Sequence, residues 1–83
     1  MPDAMKRRRI RITSGSEAGR YVGMRFGGGL VANPEVQKNP PVNVPGYGLW
    51  AQERGATEFF EWKVGSVQAE LKALGYETEA VKV

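Results

Sequence analysis

The chain offers little to acid–base or nucleophilic chemistry. It has no histidine and no cysteine, so no side chain titrates near neutral pH without a large shift, and there is no thiolate to attack a substrate or hold a soft metal. Its single aspartate, Asp3, lies close to the N-terminus. Ser14, Ser16 and Ser66 fall in turn or cap contexts with no base beside them. The carboxylates that could share acid and base roles are Glu58 with Glu61 and Glu77 with Glu79. Separated by two or three residues at exposed strand positions, they read as solvated charge. The expectation is a protein that is not an enzyme and uses neither cofactor nor metal.

Two sets of residues suit binding instead. In KRRRIRI, the basic side chains Lys6, Arg7, Arg8, Arg9 and Arg11 precede or alternate with Ile10 and Ile12. On a strand, Arg7, Arg9 and Arg11 form one row that could meet phosphates or an acidic protein face. The same row also suits an edge strand guarded by charge, or cross-strand ion pairs with Glu77 and Glu79. The second set is aromatic. Tyr47 and Trp50 flank the proline-rich NPPVNVPGYG, and Phe59 stands beside Phe60. Each is a candidate anchor for a partner protein, set against the commoner role of an aromatic in a core. Phe59 is the best candidate for an exposed ring, either as a partner contact or as a stacking platform for bases.

One phosphate-binding pattern fails on inspection. Gly27, Gly29 and Ala32 satisfy the spacing G-x-G-x-x-A after a strand, but that pattern works only where a helix opens and aims backbone N–H groups at a pyrophosphate. Asn33-Pro34 argues against such a helix. NPPVNVPGYG contains neither P-x-x-P nor P-P-x-Y, so it matches no standard proline-rich ligand.

These residues belong to a chain of 83 residues with formal net charge +3 and a pI near 9.5, long enough for one domain. The basic character is local. Beyond Thr13 there are seven basic residues against eight glutamates, so a mildly acidic domain carries a basic N-terminal strip. No apolar run approaches the roughly 20 residues a membrane span needs. The start of the chain lacks the apolar stretch of a signal peptide, and a cytoplasmic location is expected. The eight aromatics are expected to supply most of the core.

Residues 1–5 carry no pattern and are expected to be loose, leaving 6–83 as a single domain. RRRIRIT and RYVGMRF read as two strands joined by SGSEAG, a hairpin. Residues 27–46, with four prolines and four glycines, read as a long irregular loop in which LVANPEV could form a short edge strand or turn. YGLWAQE and TEFFEWKV read as a second hairpin, with Phe60, Trp62 and Val64 on one strand face and Phe59, Glu61 and Lys63 on the other. SVQAELKAL reads as a helix capped by Ser66, with Val67, Leu71 and Leu74 on one stripe and Gly75 closing it. A rival reading runs one helix from Thr57 to Leu74, because Phe60, Val64, Val67, Leu71 and Leu74 also keep helical spacing. The β-propensity of FFEWKV favours strand then helix. YETEAVKV closes the chain as a strand.

The turn TSGSEAGRYVG, punctuated by Gly15, Gly19 and Gly23, resembles that of small KOW-type β-barrels over residues 13–23. No function is carried over from it. The expected fold is α+β: a small antiparallel sheet of two hairpins plus a C-terminal strand, in the order β-β-loop-β-β-α-β, with one helix packed on it and strands that could curl toward a barrel. The expected function is a non-catalytic, protein-binding accessory or regulatory factor acting through the 27–50 loop and the adjacent aromatics Tyr47, Trp50 and Phe59. Phage and mobile-element genomes are rich in such chains. The alternatives are a nucleic-acid-binding module using Lys6 to Arg11, and a small structural subunit of a larger assembly.

Overall fold

The computed structural model describes residues 6–24 and 34–83. The expected loose terminus at 1–5, Phe26, the Gly27-Gly29-Ala32 pattern and the first part of the 27–46 segment lie outside the described residues. The expected α+β class holds: an antiparallel sheet of six strands carries one main helix.

Alternation organises the first strand, β1 (Arg7–Ile12). Ile10 and Ile12 are fully buried on the helix-covered face, while Arg7, Arg9 and Arg11 line the opposite face. β1 is an interior strand of the sheet, paired on both sides, and not a charged edge. Along one side it pairs with β6 (Thr78–Lys82) over the register Arg8↔Lys82 to Ile12↔Thr78. Along the other it pairs with β2 (Tyr21–Gly23) at Arg11↔Tyr21 and with β5 (Phe59–Phe60) at Arg8↔Phe59. The backbone alternates accordingly. Ile12 donates to the Arg20 carbonyl (2.8 Å) on the β2 side, whereas Thr13 donates to the Glu77 carbonyl (2.9 Å) on the β6 side.

The expected β1–β2 hairpin is present. The expected second hairpin is not. β4 (Tyr47–Trp50) turns back on β3 (Val42–Val44) through Pro45-Gly46 and lies against β2 on its other side, while β5 crosses to β1. The 27–46 segment is therefore not a structureless loop in its described half. It contains a one-turn helix, α1 (Pro34–Lys38), and the edge strand β3. Asn33-Pro34 does not forbid a helix here, because proline suits the first helical position, where its missing N–H would have had no partner. The strand order β3-β4-β2-β1-β5, with β6 also on β1, leaves the sheet open, so the strands do not curl into a barrel.

The region 57–74 is nearer to the rival reading. Strand pairing stops at Phe60, and helix α2 runs from Glu61 to Ala73. Phe60 in extended conformation precedes it, and the Glu61 N–H is satisfied by the Lys6 carbonyl of the neighbouring strand (2.9 Å). Ser66 is thus not a cap; its hydroxyl donates to Lys63 O (2.8 Å) inside the helix. At the other end the expectation stands. Gly75 takes φ 96°, a conformation costly for a residue with a Cβ. It donates to Lys72 O (2.9 Å) while Tyr76 donates to Leu71 O (2.9 Å), the two bonds of a Schellman cap.

Val64, Val67 and Leu71 form the buried stripe of α2 and meet Ile10, Ile12, Val22, Val44, Tyr47, Leu49 and Phe59. Aromatics are a minority of this cluster, because Phe60 and Trp62 face outward. Transfer of aliphatic surface from water is what holds helix to sheet, at about 1.5–3 kcal/mol for each fully buried large side chain.

Candidate functional site

The three aromatics expected at a partner surface are all inside. Trp50 is 1% exposed, and Tyr47 and Phe59 are 8% exposed each. In β4, Tyr47 and Leu49 point to the helix-covered face and Gly48 and Trp50 to the other. Tyr47 meets Phe59 edge-on, with centroids 6.5 Å apart, and its hydroxyl donates to Glu70 of α2 (2.8 Å). Burial, with the Glu70 carboxylate added, pushes the Tyr47 hydroxyl up to about 12. Trp50 is held by backbone. Its indole N–H donates to Met24 O (3.1 Å). Its ring lies against two glycines: a Cβ on Gly55 would fall 2.6 Å from the indole Cε3, and one on Gly23 2.9 Å from Cδ1. Phe59 is not the outward ring of its strand. Its register opposite Arg8 turns it inward.

The described half of the proline-rich segment is also tied down. Arg20 donates to Asn39 Oδ1 (3.0 Å), Pro40 O (3.2 Å) and Leu49 O (3.1 Å). Gln52 donates to Glu35 O (3.0 Å) and Asn39 O (3.3 Å), and Val36 of α1 is buried. The segment is thus held at both ends of α1.

The arginine strip is present but largely neutralised. Arg11 is hydrogen-bonded to Glu79 of β6, which raises the guanidinium pKa above its ordinary value. Arg9 pairs with Glu53 (2.8 Å) and Glu58 (3.7 Å), Arg7 with Glu58 (3.9 Å), and Arg8 with Glu61 (3.5 Å). Cross-strand pairing therefore joins Arg11 to Glu79 as expected, while Glu77 is used through its backbone, donating to the Ser14 hydroxyl (2.9 Å). The other partners come from 53–61. Glu58 and Glu61, read as a possible acid–base pair, are engaged by different arginines.

The outward aromatics are Phe60 and Trp62, 37% and 70% exposed. Alternation in β5 sends Phe60 to the arginine face, opposite Arg7, and the start of α2 then carries Trp62 outward. The two rings stack nearly parallel, 6.1 Å between centroids and 8° between planes. The Arg7 guanidinium lies 5.2 Å from the Phe60 centroid, within cation–π range. Beside them an open cleft of about 520 Å³ is lined by Lys6, Arg7, Arg8, Glu58, Lys82 and Val83. Lys6, Arg7 and Arg8 are thus gathered at one end of the sheet, away from Tyr47 and Trp50.

Trp62 was hidden by the strand reading, which placed it with Phe60 and Val64 on an inward face. In the helical reading it lies off the Val64–Val67–Leu71 stripe, and that offset is the signal that locates it. Among the described residues no group of three or more acidic side chains is placed to hold a metal ion, and no helix is long and apolar enough to cross a membrane. Comparison with protein-family models, curated proteins and solved structures finds no match.

Proposed function

We propose that this chain is a non-catalytic binding module that engages a partner protein through Phe60 and Trp62, with Arg7 and Arg8 as a polar rim. The observation that carries the reading is the 70% exposure of Trp62 in a chain whose other tryptophan is buried. A stacked aromatic pair offers large apolar area at low entropic cost, and Trp and Arg dominate the energetics of protein interfaces. The neighbouring arginines already face glutamates, so they suit a specific polar rim better than a track for phosphates. Capture of partners from the native host by the intact chain and by Trp62→Ala tests this. The variant is expected to keep its circular dichroism and lose the partner, and equal capture by both proteins refutes the assignment.

A second reading rests on the near-parallel stack itself. Two exposed rings beside Lys6, Arg7 and Arg8 form a platform onto which a base of single-stranded nucleic acid could add. Anisotropy of a labelled oligonucleotide separates the readings. Binding that falls steeply with salt and is lost in Trp62→Ala supports nucleic acid, whereas no binding at low salt removes it.

A further inference from the structure

The sheet's edges differ. β3 is three residues long and framed by Pro40, Pro41 and Pro45, which blunt it against further pairing. β5 has two residues. β6 has five residues and no proline. Its ladder to β1 is set by the Thr13–Glu77 bond, which places Glu77, Glu79 and Val81 among the residues whose backbone groups turn toward β1. Alternation then directs the N–H and C=O groups of Thr78, Ala80 and Lys82 away from β1, along an edge that pairs with no other described strand.

We propose that this edge is the seam of a homodimer, in which β6 pairs antiparallel with β6 of a second copy about a two-fold axis at Ala80. The register is chosen by geometry. Directly opposite residues must point to the same sheet face, and pairing the whole length of Thr78–Lys82 with itself makes Ala80 meet its own copy, Thr78 meet Lys82, and Glu79 meet Val81. The outward backbone groups then fall opposite one another, and each pair Thr78–Lys82 and Ala80–Ala80 exchanges both N–H···O bonds. The smallest side chain of the strand sits on the axis.

Charge points to a second copy as the occupant. Glu77, just before β6, and Lys82, at its end, form no ion pair among the described residues, whereas Glu79 is held by Arg11. Antiparallel self-pairing brings Lys82 of one copy opposite Thr78 of the other, next to the unpaired Glu77. The surface relief agrees. At the Thr78 end an open cleft of about 300 Å³ is lined by Gly65, Gln68, Ala69, Lys72, Tyr76 and Glu77. At the Lys82 end lies the basic cleft that Val83 also borders. The two-fold axis brings each cleft to the other's end, so Lys82 of one copy enters beside Glu77 of its mate. The seam lies on the opposite side of β1 from β5, so it stands apart from the Phe60–Trp62 surface, and Trp62→Ala leaves it intact.

Sedimentation equilibrium of the full chain from micromolar to millimolar, with amide hydrogen exchange at the same concentrations, tests the seam. The mass is expected to double with concentration while exchange slows at Thr78, Ala80 and Lys82; Glu79 and Val81, bonded to β1, are slow throughout. Ala80→Pro replaces an N–H outside the β1 ladder and is expected to fold and remain monomeric. Should that variant misfold, Lys82→Glu or Glu77→Lys alone is expected to weaken association severalfold, and the double exchange to restore it. A mass that stays monomeric to millimolar overturns the proposal, even where an added extended peptide protects the same amides. So does a dimer that forms without protecting those three amides.

Discussion

Trp50 and Trp62 are chemically identical and meet opposite fates. Trp50 lies between glycine backbones, with its N–H bonded to Met24 O. Trp62 stacks on one neighbour and faces solvent. The difference is made by what surrounds each ring and not by hydrophobicity. Gly23 and Gly55 leave a slot wide enough for an indole only because neither has a Cβ, and the short 3-10 turn Glu53–Gly55 folds over the ring. The region around Trp62 has no such cover. One tryptophan is therefore locked into the sheet, and the other stays open to solvent.

The largest expected effect separates the pair directly. Trp50→Ala is expected to cost about 3–5 kcal/mol by deleting a buried indole, a large share of the stability of a domain this size, whereas Trp62→Ala stays within about 0.5 kcal/mol of the parent. Urea denaturation of both variants checks this, and comparable losses would erase the distinction. Next, Gly55→Ala drives a methyl into the indole and is expected to cost about 1–3 kcal/mol, read as a lower urea midpoint at unchanged slope.

A smaller effect probes how β4 is joined to α2. The Tyr47 hydroxyl is pushed up to about 12, whereas an unfolded tyrosine titrates near 10. Between those values the folded chain keeps a proton that the unfolded chain has lost, so the contribution is complete below pH about 10 and disappears as pH rises through about 12. Tyr47→Phe is expected to lose about 1 kcal/mol at neutral pH with the bond to Glu70, and to show a shallower loss of stability across the alkaline window. Thermal melts of both proteins from pH 7 upward decide it.

The period-two pattern of Ile10 and Ile12 located the first strand, and Gly75 with Tyr76 located the end of the helix, because both signals are local. The beginning of the helix was not legible. Phe60, Val64, Val67 and Leu71 are compatible with either period, and what settles the matter is a long-range bond, Lys6 O to the Glu61 N–H. The partners of β4 and β5 were equally out of reach, since adjacent strands in sequence usually pair and here the chain crosses between them. The exposure of the aromatics was misread for the same reason. Phe59 and Trp62 exchange sides once the strand ends at Phe60.

The prolines around β3 have a consequence for growth. A sheet with two receptive borders can add copies end to end without limit, as fibres do. With Pro40, Pro41 and Pro45 framing β3, the pairing proposed for β6 would end after a single event and give a finite particle instead of a filament.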